Sequence, residues 1–430
     1  MWGYDAQAII RAEGAPLGRI SRAMAEKKRR GVGPRDDGAE APASTGEATL
    51  SADSEAGLRY SRIIAKLGTN VLTAGTDRLD LEMMSSLVGQ VAHLHRRGAD
   101  VIVVTSGAIA AGRHRLGLAR DRRDMPFRQV LASVGQSHLM QSYDQLFAWH
   151  DIVVAQALLT RRDLSDRVGY LNARNTLLAL MELRAVPIVN ENDAVAVEEI
   201  EGAKIGDNDN LSALVANLVD ADLLALLTDT AGLYTADPHR RKDARLIAQV
   251  DHIDEEIERV AQGAPGGPNS RGVGGMATKI EAARLATAGG TDVVIADGHE
   301  RDVLLRLAQG ERLGTFFPAL TDRMESRKRW MLSGLATRGR IVVDAGAAEA
   351  LRRENKSLLP AGVREVEGPF ERGDAVNIHG PDGERIACGV TNYCDREVAA
   401  IRGLRSDRIA GVLGHEYGAE VVHRNNLVLL

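Results

Sequence analysis

Short apolar or β-branched runs alternate with longer helical periods from Tyr60 to about Phe317. Runs at 62–66, 100–105, 152–156, 186–190, 223–228 and 292–296 have the length and composition of strands. Between them lie segments such as 81–97, where Leu87, Val91 and Leu94 recur while His93 and His95 sit among polar neighbours. A period of about 3.6 residues there predicts a helix with one buried face. Strands that are apolar throughout, separated by helices, predict a mainly parallel α/β sheet covered on both faces. After a charged stretch at 322–329 the pattern changes to short alternating runs at 341–343, 375–378, 386–389 and 420–423, broken by turns such as Gly380-Pro381-Asp382-Gly383. These predict a second, small β-rich domain. The expected division is an α/β domain over 60–325, a linker over 326–337 and a β-rich domain over 338–430.

The first 59 residues follow neither pattern. Residues 1–30 carry seven Lys/Arg against three acids, and 31–59 carry two against six amid much Ala, Gly, Ser and Pro. That composition predicts a disordered extension over 1–59. Its acids argue against a mitochondrial transit peptide, no secretory apolar region is visible, and Met24 offers an internal start. A chain of 430 residues exceeds the size at which one core stops growing, roughly 250–300 residues, which agrees with two domains. The net charge of −5 is small for this length and argues against a broad polyanion-binding surface. Cys388 and Cys394 are the only cysteines, spaced neither as a zinc site nor as a redox CxxC pair, so a reduced, cytoplasmic compartment is expected. The apolar run at 223–227 is fenced by Asp220, Asp222 and Asp229, and no membrane span is expected.

Four of the expected strands run into polar or glycine turns: Lys66-Leu67-Gly68-Thr69, Thr105-Ser106-Gly107, Asn190-Glu191-Asn192-Asp193 and Thr228-Asp229-Thr230. Ligands of open α/β sheets bind beyond the carboxyl ends of the strands, so these turns predict one shared mouth. The run Gly206-Asp207-Asn208-Asp209-Asn210 crowds two carboxylates and two amides together, a group too costly to bury unpaired. It predicts a surface that orients a charged substrate and partner cations. Lys66 ends a strand that is apolar on both sides of the pleat, and Lys279 lies just inside a helix opened by Gly272-Val273-Gly274-Gly275. A cation at such a helix start suits a triphosphate. Plainer explanations exist for each feature: isolated lysines are ordinarily solvated, Asn and Asp ordinarily cap their own turns, and glycines ordinarily make loops. Recurrence at consecutive strand ends favours a site. The eleven histidines form no metal-like group, and neither a P-loop nor a protein-kinase signature occurs.

Seven segments in order then carry a family resemblance: Lys66-Leu-Gly-Thr69, Val104-Thr-Ser-Gly-Ala-Ile-Ala-Ala-Gly112, Leu171-Asn-Ala-Arg174, Asn190-Glu-Asn-Asp193, Gly206-Asp-Asn-Asp-Asn210, Thr228-Asp-x-x-Gly-Leu-Tyr-x-x-Asp-Pro238 and Gly274-Gly-Met-x-Thr-Lys279. Across nearly all of 60–430 the chain resembles the gamma-glutamyl kinases (glutamate 5-kinases) of the amino acid kinase superfamily. Ser357-Leu-Leu-Pro-Ala-Gly362, Gly368-x-Phe-x-x-Gly-Asp374 and Ile386-Ala-x-Gly389 resemble the PUA domain of that family. The resemblance implies a three-layer αβα sandwich with a mainly parallel sheet plus a PUA domain. It implies that ATP phosphorylates the γ-carboxylate of L-glutamate, the first step of proline biosynthesis. Catalytic roles are implied for Lys66, Lys279 and Asp209, with Asp209 holding the two lysines in place. Glutamate is expected at Ser106, Asp193 and Asn208. The nucleotide is expected at Lys66, Thr228, Asp229, Val273, Gly274, Gly275, Met276, Ala277, Thr278 and Lys279, with Lys279 at the transferring phosphoryl group. Mg²⁺ with the nucleotide, a homo-oligomer (dimer or tetramer) and feedback inhibition by proline are implied as well. Val273 stands where the family commonly has a small hydroxyl residue, and 194–205 is longer than in the shortest members, which puts inhibitor sensitivity in question.

The chemistry agrees with these expectations. A glutamate carboxylate, with a reference pKa of about 4.3, is ionised at neutral pH, so no general base is required and the task is to bring one anion to another. Other superfamily kinases, acting on acetylglutamate, aspartate, carbamate or uridylate, are the alternative enzymes. A PUA-containing RNA-binding regulator is the alternative of another class, but residues 338–430 hold thirteen Lys/Arg against fourteen Asp/Glu, a poor balance for nucleic acid.

Overall fold

The computed structural model describes residues 57–76, 78–117, 125–196, 208–238, 240–262, 275–320, 337–354 and 356–430. Most of the expected N-terminal extension and linker, together with Gly206, Asp207, Val273 and Gly274, lies outside the described residues.

Seven strands form the larger sheet: β1 Arg62–Leu67, β2 Asp100–Val104, β3 Val154–Leu159, β4 Val186–Glu191, β5 Leu223–Thr228, β6 Asp292–Asp297 and β7 Thr315–Phe317. Their order is β3-β4-β2-β1-β5-β6-β7, and every pairing is parallel except β6 with β7. The chain builds outward from β1 on one side, then crosses to β5 on the other. That reversal of strand order makes the carboxyl end of β1 the switch point at which open α/β sheets bind ligands.

The helices of this part are α1 Thr69–Thr73, α2 Leu81–Arg96, α3 Ala108–Leu116, α4 Met125–Ala148, α5 Arg161–Ser165, α6 Arg167–Glu182, α7 Asn208–Val219, α8 Glu255–Gln262, α9 Met276–Ala288 and α10 Val303–Ala308. The strand period of two assigns them to layers. On β1, Ile63, Ala65 and Leu67 pack with Leu87, Val91 and Leu94 of α2 and with Leu304 and Leu307 of α10. Ile64 packs instead with Leu177 of α6, Val215 and Leu218 of α7 and Ala283 of α9. Lys66 therefore falls on the face covered by α7 and α9. The result is an αβα sandwich, as the strand and helix alternation predicts.

Two glycines set how the first crossovers pack. A Cβ on Gly135 of α4 would lie 1.7 Å from the Ala108 carbonyl oxygen, and one on Gly112 of α3 would lie 1.9 Å from that of Leu131. Only hydrogen at both positions lets the two helix backbones touch, which draws α4 against the start of α3 beside β2.

The smaller sheet holds β8 Gly339–Val343, β9 Val363–Glu367, β10 Ala375–His379, β11 Arg385–Val390 and β12 Leu427–Leu429, ordered β12-β11-β10-β8-β9. Helices α11 Ala345–Glu354, α12 Asp395–Ile401 and α13 Ile409–Leu413 accompany it. Its core gathers Ile341, Val343, Leu351, Phe370, Val376, Ile378, Tyr393, Val398 and Ile401.

The structure corrects the sequence reading in a few elements. The expected strand at 420–423 is an isolated bridge between Leu358 and Val422, because Val421 and Val422 are both buried and their backbones bond to Leu358 and Asn392 rather than to a ladder. Strands β7, β9 and β12 were not anticipated. β3 begins two residues later than 152 and is half-exposed along most of its length, as an edge strand paired only with β4. The two sheets share a seam: Leu171 of α6 is buried with Ala375, Cys388, Val390 and Val428, and Arg372 Nη2 donates to Asn172 Oδ1 at 2.6 Å.

Candidate active site

Three buried charges meet at the switch point. Lys66 leaves β1 on the α7–α9 face, Asp209 occupies the first turn of α7, and Lys279 the first turn of α9. The Lys66 ammonium pairs with Asp209 Oδ1, and Lys279 Nζ lies 3.1 Å from Asp209 Oδ2. The three residues are 6%, 1% and 5% exposed in chain order Lys66, Asp209, Lys279. Burial pushes the Asp209 carboxyl up, but the two ammonium groups beside it outweigh that penalty and hold it at about 2 against an ordinary 3.8. Thr278 Oγ1 lies 2.9 Å from Asp209 Oδ2 and 2.8 Å from the Gly275 carbonyl, so its single proton serves either acceptor. The carboxylate thus fixes two cations at one carboxyl end of the sheet.

Glycine keeps the space in front of Lys66 clear. A Cβ on Gly68 would stand 3.0 Å from the Leu227 carbonyl and 4.0 Å from Lys66 Nζ, while a Cβ on Gly275, which opens α9, meets nothing within 4 Å. Backbone N–H groups of a helix's first turn lack intrahelical acceptors, so this start, beside two ammonium groups, has the chemistry of a phosphate cradle.

On the β5 side, Thr228 ends its strand in a buried position. Thr228 Oγ1 donates to Asp229 Oδ1 at 3.1 Å, and Asn70 Nδ2 donates to Asp229 Oδ2 at 2.7 Å. Burial works to raise the Asp229 carboxyl, yet these bonds and the Lys279 charge hold it below its ordinary value.

On the β2–β4 side, Gly107 at φ 94° turns the chain from β2 into α3 and leaves Ser106 buried at the strand end. Asn208 Nδ2 donates to Ser106 Oγ at 3.2 Å. Asp193 lies in the turn after β4, where burial raises its carboxyl pKa against the opposing charge of Arg128. Gln129 Nε2 donates to the Ala196 carbonyl at 3.3 Å, and Asn190 Nδ2 donates to Gln136 Oε1 at 2.8 Å.

Among the expected site residues, Lys66, Asp209, Thr278 and Lys279 form one cluster with Gly275 beside it, Ser106 and Asn208 a second, and Thr228 and Asp229 a third. Met276 and Ala277 sit in the first turn of α9, half-buried. Asp193 lies toward α4. Sequence reasoning missed Asn70, Gln136 and the α4 wall bearing Arg128 and Gln129. The spacing of seven residues from Gln129 to Gln136 puts both on one helix face, a signal present in the sequence but attached to no motif.

A model of the amino acid kinase family matches residues 61–297, and one of the PUA domain matches residues 339–413. The chain is 57% identical over 371 residues to a glutamate 5-kinase of Dehalococcoides mccartyi, covering 86% of this chain and 99% of that protein. It is 53% identical over 369 residues to one of Herpetosiphon aurantiacus, covering 86% and 98%, and 48% identical over 373 residues to one of Shewanella oneidensis, covering 87% and 99%. A UMP kinase of Bacillus anthracis matches with a TM-score of 0.42 at 14% identity, over 61% of this chain and 97% of that one. With a family model spanning six of the seven strands of its α/β sheet and such identities along almost the full length of those relatives, the chain belongs to the amino acid kinase family and, within it, to the glutamate 5-kinases.

Proposed function

We infer that this chain transfers the γ-phosphoryl group of ATP to the γ-carboxylate of L-glutamate, giving L-glutamyl 5-phosphate and ADP, the first step of proline biosynthesis. Its similarity to glutamate 5-kinases supports the substrates. The observation that carries the chemistry is the buried Lys66–Asp209–Lys279 cluster at the switch point. An ionised carboxylate attacks the terminal phosphorus of ATP, the bond to the bridging oxygen breaks, and ADP leaves with that electron pair. No proton is transferred, so the protein's task is position and charge. In this reading Lys66 and Lys279 face the phosphates and neutralise the transferring group. Asp209 touches neither substrate but pairs with both ammonium groups and keeps them aimed. Thr228, Asp229 and the segment from Val273 to Lys279, including Gly274, Gly275, Met276, Ala277 and Thr278, form the nucleotide side. Ser106, Asp193 and Asn208 form the glutamate side.

Mg²⁺ fits as an ion carried by the phosphates. Among the described residues no three His, Cys, Asp or Glu side chains converge to cage it, and Mg²⁺ commonly relies on substrate phosphates. When bound, it would neutralise negative charge on the nucleotide's phosphates. A cytoplasmic homo-oligomer inhibited by proline belongs to the same reading, with an α/β domain over 60–325 joined to the PUA domain at 338–430. No described helix is long and apolar enough to cross a membrane.

The test is ATP- and Mg²⁺-dependent formation of a hydroxamate from L-glutamate when hydroxylamine traps the acyl phosphate. Hydroxamate with glutamate, lost in folded Lys279→Ala, is the expected result. Product from N-acetylglutamate but not from glutamate would overturn the assignment.

A further inference from the structure

Gln136 is absent from every motif that carries the family resemblance, yet the mouth of the sheet determines which way its amide points. The Glu191 backbone N–H donates to Asn190 Oδ1 at 2.9 Å, which fixes the Asn190 amide. Asn190 Nδ2 must then donate outward, and it does so to Gln136 Oε1 at 2.8 Å. An amide whose oxygen is so engaged turns its nitrogen the other way. Gln136 Nε2 is buried and has no hydrogen-bond partner among the described residues. Asn208 presents the complementary case: its Nδ2 donates to Ser106 Oγ while its buried Oδ1 has no partner among the described residues. Leaving such groups unsatisfied is costly, and a protein tolerates that cost where a ligand completes them.

The two atoms are of opposite sense. One is a donor suited to a carboxylate, the other an acceptor suited to an ammonium group, and an α-amino acid offers both on adjacent bonds. Position decides which end of the acceptor they read. Lys66 and its partners lie at β1, whereas Asn190 ends β4, and β2 lies between those two strands. Strand spacing sets the two ends about 10 Å apart. A γ-carboxylate lying at the lysines leaves the α-carbon on the β2–β4 side, where Gly135 holds α4 close against the start of α3 and so brings Gln136 to the mouth.

We propose that Gln136 is a substrate-positioning residue whose Nε2 donates to the α-carboxylate of the bound amino acid, oriented for that task by Asn190 and the Glu191 backbone. The proposal rests on the reading of the mouth as a glutamate site.

The discriminating variant is Gln136→Glu, which keeps an acceptor for Asn190 and nearly the same shape but replaces the donor with a negative charge facing the α-carboxylate. The KM for glutamate rises about tenfold or more in this variant, while the KM for ATP and the melting temperature stay close to those of the unaltered protein. The second measurement compares L-glutamate with its α-amide, which keeps the γ-carboxylate acceptor but offers N–H groups at the α position. The preference for glutamate over the amide, as a ratio of kcat/KM, falls at least tenfold in Gln136→Glu. Gln136→Met, isosteric and without polar atoms, raises the KM for glutamate in the same direction with a smaller change in that ratio. An unchanged preference in Gln136→Glu, with the unaltered protein active on glutamate, overturns the role of Gln136 alone. An unaltered protein inactive on glutamate overturns the glutamate reading itself, and this proposal with it.

Discussion

In the seven-stranded sheet the buried charged side chains reach across elements: Lys66 and Lys279 pair with Asp209, and Arg174 Nη2 donates to Asp220 Oδ2 at 2.6 Å. In the five-stranded sheet the buried carboxylate of Asp374 accepts from the Glu371 N–H of its own turn at 2.9 Å, and the cation nearest it, Arg338 at 3.8 Å, is largely exposed. Both kinds of burial desolvate a charge. The local kind secures a tight turn, an outcome that a neutral acceptor also achieves. Convergent charges on three separate elements do more than hold a fold, since apolar packing of the same volume is often as stable or more so. What they add is a fixed pair of cations, and the parallel sheet's switch point is where a polyanion and an acceptor can use them.

The comparison breaks most readily at Asp209. Asp209→Asn removes the carboxylate that bridges two buried ammonium groups and destabilises the chain by about 3–5 kcal/mol in denaturant titration. Turnover is lost as well. Because the folded pKa of Asp209 is depressed to about 2 from 3.8, its contribution is complete above pH 3.8 and disappears as the pH falls from there towards 2. The stability difference between Asp209→Asn and the unaltered protein therefore narrows through that acidic window and is level above it. A difference that stays constant down to pH 2 shows that the charge on Asp209 is not what holds the lysines.

Lys279→Met separates chemistry from folding. Asp209 keeps Lys66, so the melting temperature moves by only a few degrees, whereas kcat falls by about 10²–10³ through loss of a cation at the transferring group. A mutant that loses stability but retains kcat would place the two sheets on the same footing, with buried charge serving structure in each.

The fold was readable from the sequence where one physical rule dominated. The run at 223–228 is apolar throughout because β5 is covered on both faces, and its bounds in the structure agree. The facing of Lys66 follows from Ile64 two residues earlier, and Lys279 stands in a segment that marks a helix start, whereas the polar run holding Asp209 reads as a loop and the structure places Asp209 in the first turn of α7. Reading failed where partners are distant or alternation is broken. β9 pairs with β8 across a register shift between Val342 and Val343, and its exposed Arg364 and Glu365 interrupt the apolar pattern. Gln136 meets Asn190, 54 residues away, and the contact of Gly112 with Gly135 helps bring its helix there. No local pattern in the chain encodes that approach.

The seam between the sheets tests whether the regions are separable in function. Leu171→Ala removes a buried side chain from the cluster with Cys388, Val390 and Val428 and costs about 2–3 kcal/mol, toward the lower end for such truncations because the site borders two surfaces. The kcat for glutamate stays within about twofold if the PUA domain serves assembly or regulation rather than phosphoryl transfer. A tenfold loss of kcat in the folded variant shows that α6 transmits the state of the smaller sheet to the mouth.

Arg372 gives the smallest effect and the sharpest reading of that seam. Its guanidinium lies 3.9 Å from the centroid of the Tyr417 ring and donates through Nη2 to Asn172 Oδ1. A cation over an aromatic face at a partly exposed site contributes about 0.5–1 kcal/mol, and the hydrogen bond a similar amount. Arg372→Ala removes both, whereas Arg372→Lys keeps a cation near Tyr417 but loses the planar fork that reaches Asn172. A double-mutant cycle of Arg372→Lys with Asn172→Ala isolates the bond across the seam from the packing of Arg372 within its own domain. A coupling of about 1 kcal/mol in stability with no coupling in kcat identifies the contact as adhesion between two independently organised sheets. Coupling in kcat instead means that the two sheets act as a single device, joined through Asn172 next to Leu171 on α6.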